Sequence, residues 1–267
     1  MSVEQISKSE IAKSFGHAAE KYDSVAHFQR NVGHDLLEKM PNHAPECIVD
    51  LGCGTGYFLS SLSAMYPNAA LVGFDLSQDM IRFARKAHEK KSPEKEVSWL
   101  VGDGERLPFK SGSVDLIFSS LAIQWCGSLS TLFAEIQRVL SKGGVFVFSS
   151  LLDGSLAELK AAWAQVDDNQ HVNAFACMGD YQQAIDATQL RAAVLEVETK
   201  VLYYQKVKEL TRELKTLGAH NMTSQRATHL TGKQSIKKFL SAYETYRLAD
   251  GSLPASYRVL YGALVCG

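Results

Sequence analysis

Residues 47–56 read Cys-Ile-Val-Asp-Leu-Gly-Cys-Gly-Thr-Gly, an apolar run followed by three glycines at every second position. The run from Cys47 to Leu51 is short and apolar, which predicts a buried strand. Glycine allows a tight turn and lets the backbone approach a ligand without a Cβ clash. A helical pattern follows, and its first N–H groups would face the same turn. The stretch therefore predicts a strand, a ligand-binding turn and a helix.

This alternation continues along the chain. Strands that alternate with helices of about ten residues indicate βαβ units and a parallel sheet with both faces covered. The predicted strands are 47–51, 71–75, 97–101, 114–119 and 145–149, and the predicted helices between them are 57–65, 77–88 and 131–140.

We divide the chain into four parts of one structural domain. They are an N-terminal helical cap (1–40), a ligand-binding core (41–150), insertions that form a lid (151–256) and a final sheet strand (257–267). Within the lid, helices are predicted at 155–166, 206–217 and 233–248 and a strand at 195–203, whereas 167–190 is polar and poorly periodic.

Composition excludes several classes of protein. The 267 residues are 46% hydrophobic and 21% charged, as in ordinary globular domains. The longest nearly apolar run is far shorter than the ~18 residues of a membrane span, and the polar start predicts no signal peptide. Five cysteines without a C-x-x-C pair argue against a disulfide framework or a metal site. We expect a cytoplasmic protein with no membrane partner.

The overall charge of -1 is unevenly distributed. From Lys200 to the end there are 11 Lys or Arg against four Asp or Glu, a net charge of +7. This segment is either a solvated basic face or a docking surface for an acidic partner. A nucleic-acid binder would show an overall positive excess, so we expect no nucleic-acid partner.

Two aspartates lie at predicted strand ends, where open α/β sheets bind ligands. Asp75 follows Gly54 by 21 residues, and its carboxylate can accept both hydroxyls of a ribose. Asp103 can accept an exocyclic amine of adenine, although Asp-Gly is also a common turn. Together with the glycine turn, these residues indicate an adenosine ligand.

These motifs resemble the class I S-adenosylmethionine-dependent methyltransferases over about residues 47–150. The resemblance implies a Rossmann-like α/β fold, a mostly parallel seven-stranded sheet with helices on both faces and a helical lid. It also implies S-adenosyl-L-methionine as cofactor. The implied cofactor-binding residues are Asp50, Gly52, Gly54, Gly56, Asp75, Leu76, Asp103 and Gly104.

Outside the core the resemblance narrows to the malonyl-acyl-carrier-protein O-methyltransferases of biotin synthesis. The segments that carry it are Phe-Gly-His-Ala-Ala-Glu-Lys-Tyr-Asp-Ser-Val-Ala-His-Phe-Gln-Arg (15–30), Leu-Ala-Ile-Gln-Trp-Cys-Gly (121–127), His-Val-Asn (171–173), Leu-Gly-Ala-His-Asn (217–221) and Tyr-Gly (261–262). That family methylates the free malonyl carboxylate on an acidic carrier protein, which starts pimeloyl synthesis.

The implied reaction needs no general base, because a malonyl carboxylate is already ionised at neutral pH. Positioning and exclusion of water would carry catalysis. We predict Tyr22, Gln124 and Trp125 as walls of the transfer chamber. The predicted substrate residues are His171, Asn173, Ala174 and Arg226, and the predicted carrier-docking residues are Lys206, Lys208, Arg212, Lys215, Lys237 and Lys238.

Two positions depart from the family pattern. His17 and Ala174 stand where the family usually has Arg. An Arg at 174 would suit a bidentate grip on the malonyl carboxylate. We therefore expect normal cofactor binding but poor methyl transfer, unless Arg30, Arg226 or Lys233 supplies the missing cation.

Two other functions remain open from the residues. One is a quinone-pathway-type methyltransferase, which would need a flat apolar lid pocket and a base, and would leave the basic segment unexplained. The other is a module that binds the cofactor without turnover. Assays of methyl transfer and of cofactor binding separate the three.

Overall fold

Seven β-strands form one sheet. They are β1 (Cys47–Leu51), β2 (Ala70–Asp75), β3 (Val97–Val101), β4 (Val114–Ser120), β5 (Leu140–Leu151), β6 (Leu190–Tyr204) and β7 (Leu253–Cys266). The order across the sheet is β3-β2-β1-β4-β5-β7-β6. Strands β1 to β5 pair in parallel, whereas β7 runs antiparallel to β5 and β6. The computed structural model describes residues 7–40, 44–91, 94–219 and 232–267.

Helices cover both faces of the sheet. Within the described ranges they are α1 (Lys8–Val25), α2 (His27–Glu38), α3 (Leu59–Met65), α4 (Gln78–Lys91), α5 (Leu129–Val139), α6 (Ala157–Ala164), α7 (Met178–Asp186), α8 (Val207–Thr216) and α9 (Lys233–Glu244). A short 3-10 turn, Ile123–Trp125, follows β4.

The core consists of two apolar layers, one on each face of the sheet. Along β4, Leu116 and Phe118 belong to one layer and Ile117 to the other, because successive strand residues point to opposite faces. Side chains of α2, α3, α6, α8 and α9 fill the first layer, and those of α5 and α7 fill the second. This architecture confirms the predicted α/β class with a mostly parallel seven-stranded sheet.

The structure divides the range 151–256 differently from the prediction. Helix α7, in the stretch without clear periodicity, places Tyr181 and Ile185 in the second core layer. Strand β6 is the edge of the sheet, and β7 begins at Leu253, four residues before the predicted boundary. Within the range of the predicted lid, α7 packs in the second core layer and β6 belongs to the sheet, whereas α6, α8 and α9 pack on the first core layer.

The parallel strands bring their carboxyl ends to one edge of the sheet, where the predicted ligand residues lie. None of the helices in the described ranges has the length and apolar character that crossing a membrane requires. The same ranges hold no group of three or more His, Cys, Asp or Glu side chains that could bind a metal ion.

Candidate active site

The turn after β1 owes its shape to glycine. Gly52, Gly54 and Gly56 all have positive φ, at 76°, 54° and 76°. A Cβ on Gly52 would lie 2.2 Å from the Cβ of Ala122, so the turn packs directly against the segment after β4. A Cβ on Gly54 would meet no protein atom within 4 Å. The open side of Gly54 is therefore the face that a ligand can approach.

Asp75 supports this turn. Its Oδ2 accepts a hydrogen bond from the Gly54 N–H at 2.9 Å, and its Oδ1 accepts one from the Ser77 N–H at 2.8 Å. Burial raises the pKa of Asp75, and the two backbone hydrogen bonds partly offset that rise. Each carboxylate oxygen keeps further acceptor capacity toward the cavity that it lines.

Beneath the turn, Asp50 is 2% exposed, and its Oδ2 has no hydrogen-bond partner among the described residues. Burial and, to a smaller extent, the charge of Asp75 raise the pKa of Asp50 to about 8. Asp50 is absent from the lining of the adjoining cavity, so the predicted direct contact between Asp50 and a ligand there is not seen. Gly56 also lies outside that lining, and a Cβ on it would lie 3.2 Å from Trp99 and 3.3 Å from Ala84.

The cavity itself runs along the carboxyl ends of β1, β2 and β3. Helix α1 roofs it with four side chains from one helical face, and the segment 121–126 forms the opposite wall. Its volume is about 120 Å³. The predicted Leu76, Asp103 and Gly104 line it together with the roof residues Lys8, Ile11, Phe15 and Tyr22.

Lys8 connects α1 to the loop after β3 through ion pairs. Its Nζ lies 2.6 Å from Asp103 Oδ2 and also pairs with Glu105. Burial works against the charge of Lys8, but its two acidic partners outweigh burial and raise its pKa. Asp103 Oδ1 accepts the Glu105 N–H at 3.0 Å, so the carboxylate is held in place. Sequence reasoning missed Lys8, which is 95 residues from Asp103.

A second cavity of about 190 Å³ adjoins the first, and Phe15, Tyr22, Leu121 and Trp125 line both. We call this second cavity the chamber. Most of the side chains in its wall are apolar, and several of them come from α6, α8 and Tyr257. The wall also contains neutral polar side chains, namely Gln29, Gln124, Asn173 and Thr211. The predicted walls Tyr22, Gln124 and Trp125 all line it.

Two of the predicted chamber residues are held rigidly. Gln124 donates from Nε2 to the Leu121 carbonyl at 2.7 Å and accepts from Ser150 Oγ at 3.3 Å. Trp125 packs edge-on against Phe15, with 5.3 Å between ring centroids. Their fixed orientation suits positioning of a substrate and not proton transfer.

The predicted substrate residues divide into three groups. His171 lines the chamber, stacks on Trp163 at 3.8 Å, and contacts Asp167 Oδ1 through Nε2 at 2.8 Å. Asn173 is buried in the chamber wall. Ala174 is exposed and lies outside that wall. Arg226 lies outside the described residues.

The predicted docking residues are all exposed. They lie on α8 and α9, except Lys206, which is the N-cap residue of α8, and they form no salt bridge with acidic residues of the described ranges. On α8, Lys208, Arg212 and Lys215 follow helical spacing on one face, which we call the basic stripe. Thr211, Leu214 and Leu217 point from the same segment into the chamber. The set comprises Lys206, Lys208, Arg212 and Lys215 at α8 and Lys237 and Lys238 on α9.

The first cavity fits S-adenosylmethionine. The open side of Gly54 leaves room beside the backbone, and Asp75 offers carboxylate oxygens at the strand end. Asp103 and Leu76 line the same cavity, where the resemblance predicts the purine. A fixed row of acceptors beside a glycine turn is what an adenosine with an amino-acid tail requires.

Comparison with known proteins agrees with this assignment. A family model described as a methyltransferase domain matches residues 49–148. Among solved structures, the YcgJ protein of Bacillus subtilis superposes with a TM-score of 0.63 at 18% identity, covering 89% of this chain and 98% of that one. The geranyl diphosphate C-methyltransferase of Streptomyces coelicolor, solved with S-adenosyl-L-homocysteine, gives 0.54 at 17% identity, covering 88% and 78%.

Curated relatives match almost the whole chain. The bifunctional biotin biosynthesis protein BioHC of Cellvibrio japonicus is 42% identical over 257 residues, which are 96% of this chain and 50% of that protein. The chain thus spans half the length of that relative. The malonyl-[acyl-carrier protein] O-methyltransferases of Hahella chejuensis and Legionella pneumophila are 38% and 35% identical, each covering 95% of this chain and 89% of the relative. The chain belongs to the malonyl-[acyl-carrier protein] O-methyltransferase family.

Proposed function

We propose that this chain transfers a methyl group from S-adenosylmethionine to the free carboxylate of a malonyl group on an acyl carrier protein, in the cytoplasm, as a step of biotin synthesis. The observation that carries the proposal is the contiguity of the two cavities. Four side chains, Phe15, Tyr22, Leu121 and Trp125, line both of them. A substrate in the chamber would therefore lie directly beside a cofactor in the first cavity.

The chamber suits an ionised nucleophile. The cofactor supplies a methyl group on a positively charged sulfur. Apolar walls and neutral polar groups remove water from an incoming carboxylate, and they do not bind the carboxylate tightly. Burial raises the pKa of Tyr22 well above its ordinary value, so its phenol stays neutral. These residues position the substrate and exclude water, and no proton has to move.

Methyl transfer from radiolabelled cofactor tests the proposal. Malonyl carrier protein should accept label, whereas acetyl carrier protein, which lacks only the free carboxylate, should not. A quinone precursor should also remain unlabelled. Label in the quinone precursor alone would favour the small-molecule methyltransferase, and cofactor binding without label in any acceptor would favour the non-catalytic module.

We expect the basic stripe to dock the acidic carrier. Lys208→Glu with Arg212→Glu should raise KM for malonyl carrier protein by about tenfold, equivalent to about 1.4 kcal/mol. KM for a small malonyl thioester should stay unchanged, and the effect should shrink as salt rises. Lys237→Glu with Lys238→Glu tests α9 in the same way.

Lys86→Glu with Lys90→Glu is the matched control for the stripe. These two lysines are exposed on α4 and, like Lys208 and Arg212, lie four residues apart. It should leave KM for both substrates unchanged. If the α8 reversal changes both substrates alike, the stripe is only a solvated face.

Position 174 gives a third expected result, because Ala174 lies outside the chamber wall but between its members Asn173 and Phe175, so we expect a long side chain there to reach the chamber. Among the described residues that line the chamber there is no Lys or Arg, so the substrate carboxylate meets no fixed cation there. Ala174→Arg should raise kcat/KM at saturating cofactor by about tenfold or more, since a charged hydrogen bond to a carboxylate is worth about 1.5–3 kcal/mol. Ala174→Gln controls for side-chain length. Brisk turnover of the unmodified chain, with no gain from Arg, would remove position 174 from the substrate site.

A further inference from the structure

Tyr181 of α7 lies among phenylalanines in the second core layer. It is fully buried, and its ring stacks on Phe148 and meets Phe133 edge-on, with 6.2 Å and 6.4 Å between ring centroids. Its hydroxyl lies 2.5 Å from the Oγ of Ser150, which is also fully buried. Packing makes no use of a hydroxyl, and burying one costs free energy unless it is hydrogen-bonded. The contact with Ser150 is therefore what a tyrosine adds here over a phenylalanine.

Hydrogen bonds continue from Ser150 to the chamber wall. Ser150 Oγ donates to Gln124 Oε1 at 3.3 Å, and Gln124 Nε2 donates to the Leu121 carbonyl at 2.7 Å. Burial raises the pKa of Tyr181, so its phenol keeps its proton. All these protons find acceptors only when Tyr181 donates to Ser150 and Ser150 donates to Gln124. We call Tyr181, Ser150 and Gln124 the network, and its hydrogen bonds point from the core to the chamber.

This direction decides which end of the Gln124 amide a substrate can meet. The reverse orientation would place Gln124 Oε1 against the Leu121 carbonyl oxygen, acceptor against acceptor. In the observed orientation Oε1 lies toward Ser150, which lines neither the first cavity nor the chamber, and Nε2 lies beside Leu121, which lines both. The other hydrogen of Nε2 has no acceptor in the described part of the chain. That hydrogen is a donor available where the two cavities meet.

Leu121 itself has a strained backbone. Its φ is 49°, in the left-handed region that residues other than glycine rarely adopt. Its N–H donates to the carbonyl oxygen and to the Oγ of Ser149, each at 3.1 Å, and its carbonyl accepts from Gln124. These bonds hold the Leu121 carbonyl, and with it the Gln124 amide, beside both cavities. Backbone strain of this kind is concentrated at functional sites.

We propose that Gln124 donates its free Nε2 hydrogen to the carboxylate of the methyl acceptor, and that Tyr181, acting through Ser150, is the positioning residue that orients this amide. A carboxylate has two oxygens, so an N–H that holds one can direct the other toward the methyl group of the cofactor. A hydrogen bond to an ionised acceptor is about twice as strong as one to a neutral acceptor, which favours a free acid over its ester. The proposal rests on the proposed function for the identity of the acceptor.

The test measures binding without turnover. With S-adenosyl-L-homocysteine bound, calorimetry compares a small malonyl thioester with its methyl ester, and the readout is the ratio of the two affinities, acid over ester. Gln124→Met, which keeps the side-chain length without the amide, should lower this ratio by about tenfold. Tyr181→Phe should lower it by about threefold. Ser150→Ala interrupts the same network and should lower it by a similar factor.

Tyr243→Phe is the matched control. Tyr243 is also buried, and its hydroxyl donates to the Pro254 carbonyl at 2.9 Å, but it lines neither cavity. By urea unfolding it should lose about as much stability as Tyr181→Phe, and it should leave the ratio unchanged. The double variant Gln124→Met with Tyr181→Phe should give the ratio of Gln124→Met alone, because Tyr181 acts only through Gln124.

Three outcomes would overturn the proposal. An unchanged ratio in Gln124→Met would show that another group binds the carboxylate. An unchanged ratio in Tyr181→Phe, or a further fall when it is added to Gln124→Met, would show that Tyr181 does not act through the amide. An equal fall in Tyr243→Phe would show a loss of folding only. A chain that discriminates through Gln124 but transfers no methyl group to malonyl carrier protein would instead sink the proposed function and leave this assignment intact.

Discussion

Gly54→Ala should leave the protein folded and lower its affinity for S-adenosylmethionine by about 100-fold. The added methyl group meets no protein atom within 4 Å, so it projects into the space that the cofactor needs. Forcing one methyl group into a close-packed contact costs about 1–3 kcal/mol, and about 2.8 kcal/mol corresponds to a factor of 100. Calorimetric titration with the cofactor measures the loss.

Gly112→Ala is the matched control. Gly112 also has positive φ, 66°, and open space around a Cβ, but it lies in the turn before β4 and outside the cofactor cavity. Both variants should therefore lose a similar amount of stability, about 1–2 kcal/mol for an alanine in the left-handed region. If Gly54→Ala binds cofactor as tightly as Gly112→Ala does, the cofactor does not pass beside Gly54.

Asp50→Asn should make the unliganded protein more stable at pH 8. Burial and the neighbouring Asp75 raise the pKa of Asp50 to about 8, from an ordinary 3.8. Between these values the unfolded chain has lost a proton that the folded chain keeps. The contribution of this group to stability is therefore full below its ordinary pKa and falls as the pH rises toward 8.

The amide at position 50 of the variant does not titrate, so it adds no pH dependence to the free energy of unfolding. Between pH 5 and pH 8, the free energy of unfolding of the unmodified chain should fall by about 3 kcal/mol more than that of Asp50→Asn, at about 1.36 kcal/mol per pH unit. Urea unfolding at the two pH values measures the difference. Parallel profiles would mean that Asp50 is already ionised at neutral pH.

The sequence was sufficient for the fold class and for the five parallel strands, and it predicted the residues that meet at their carboxyl ends. The glycine turn, Asp75 and Asp103 each depend on a few neighbouring residues, so their patterns are visible locally. Strand alternation and the parallel order follow from short apolar runs separated by helices. The fold class followed from these features, whereas the family was recognised mainly from segments outside the core.

Features that depend on distant contacts were beyond sequence reasoning. The pairing of Lys8 with Asp103 joins residues 95 positions apart, and nothing around Lys8 indicates it. A strand was predicted at 195–203 but assigned to the lid, whereas β6 (Leu190–Tyr204) pairs with β7 at the edge of the sheet. Helix α7 is short and begins at Met178, and its N-cap Cys177 is not a typical N-cap residue. Packing against α5 and β7, not propensity, determines these elements.

The end of α8 bears on how a partner could influence catalysis. Gly218 follows α8 with φ 76°, and a Cβ there would lie 2.8 Å from the Ser14 carbonyl oxygen of α1. Ser14 Oγ also donates to the Gly218 carbonyl at 2.9 Å. The helix with the basic stripe thus abuts the helix that roofs the cofactor, through a junction too tight to absorb one methyl group. Because α8 and α1 are in such close contact, we expect a partner that displaces α8 to move α1 with it.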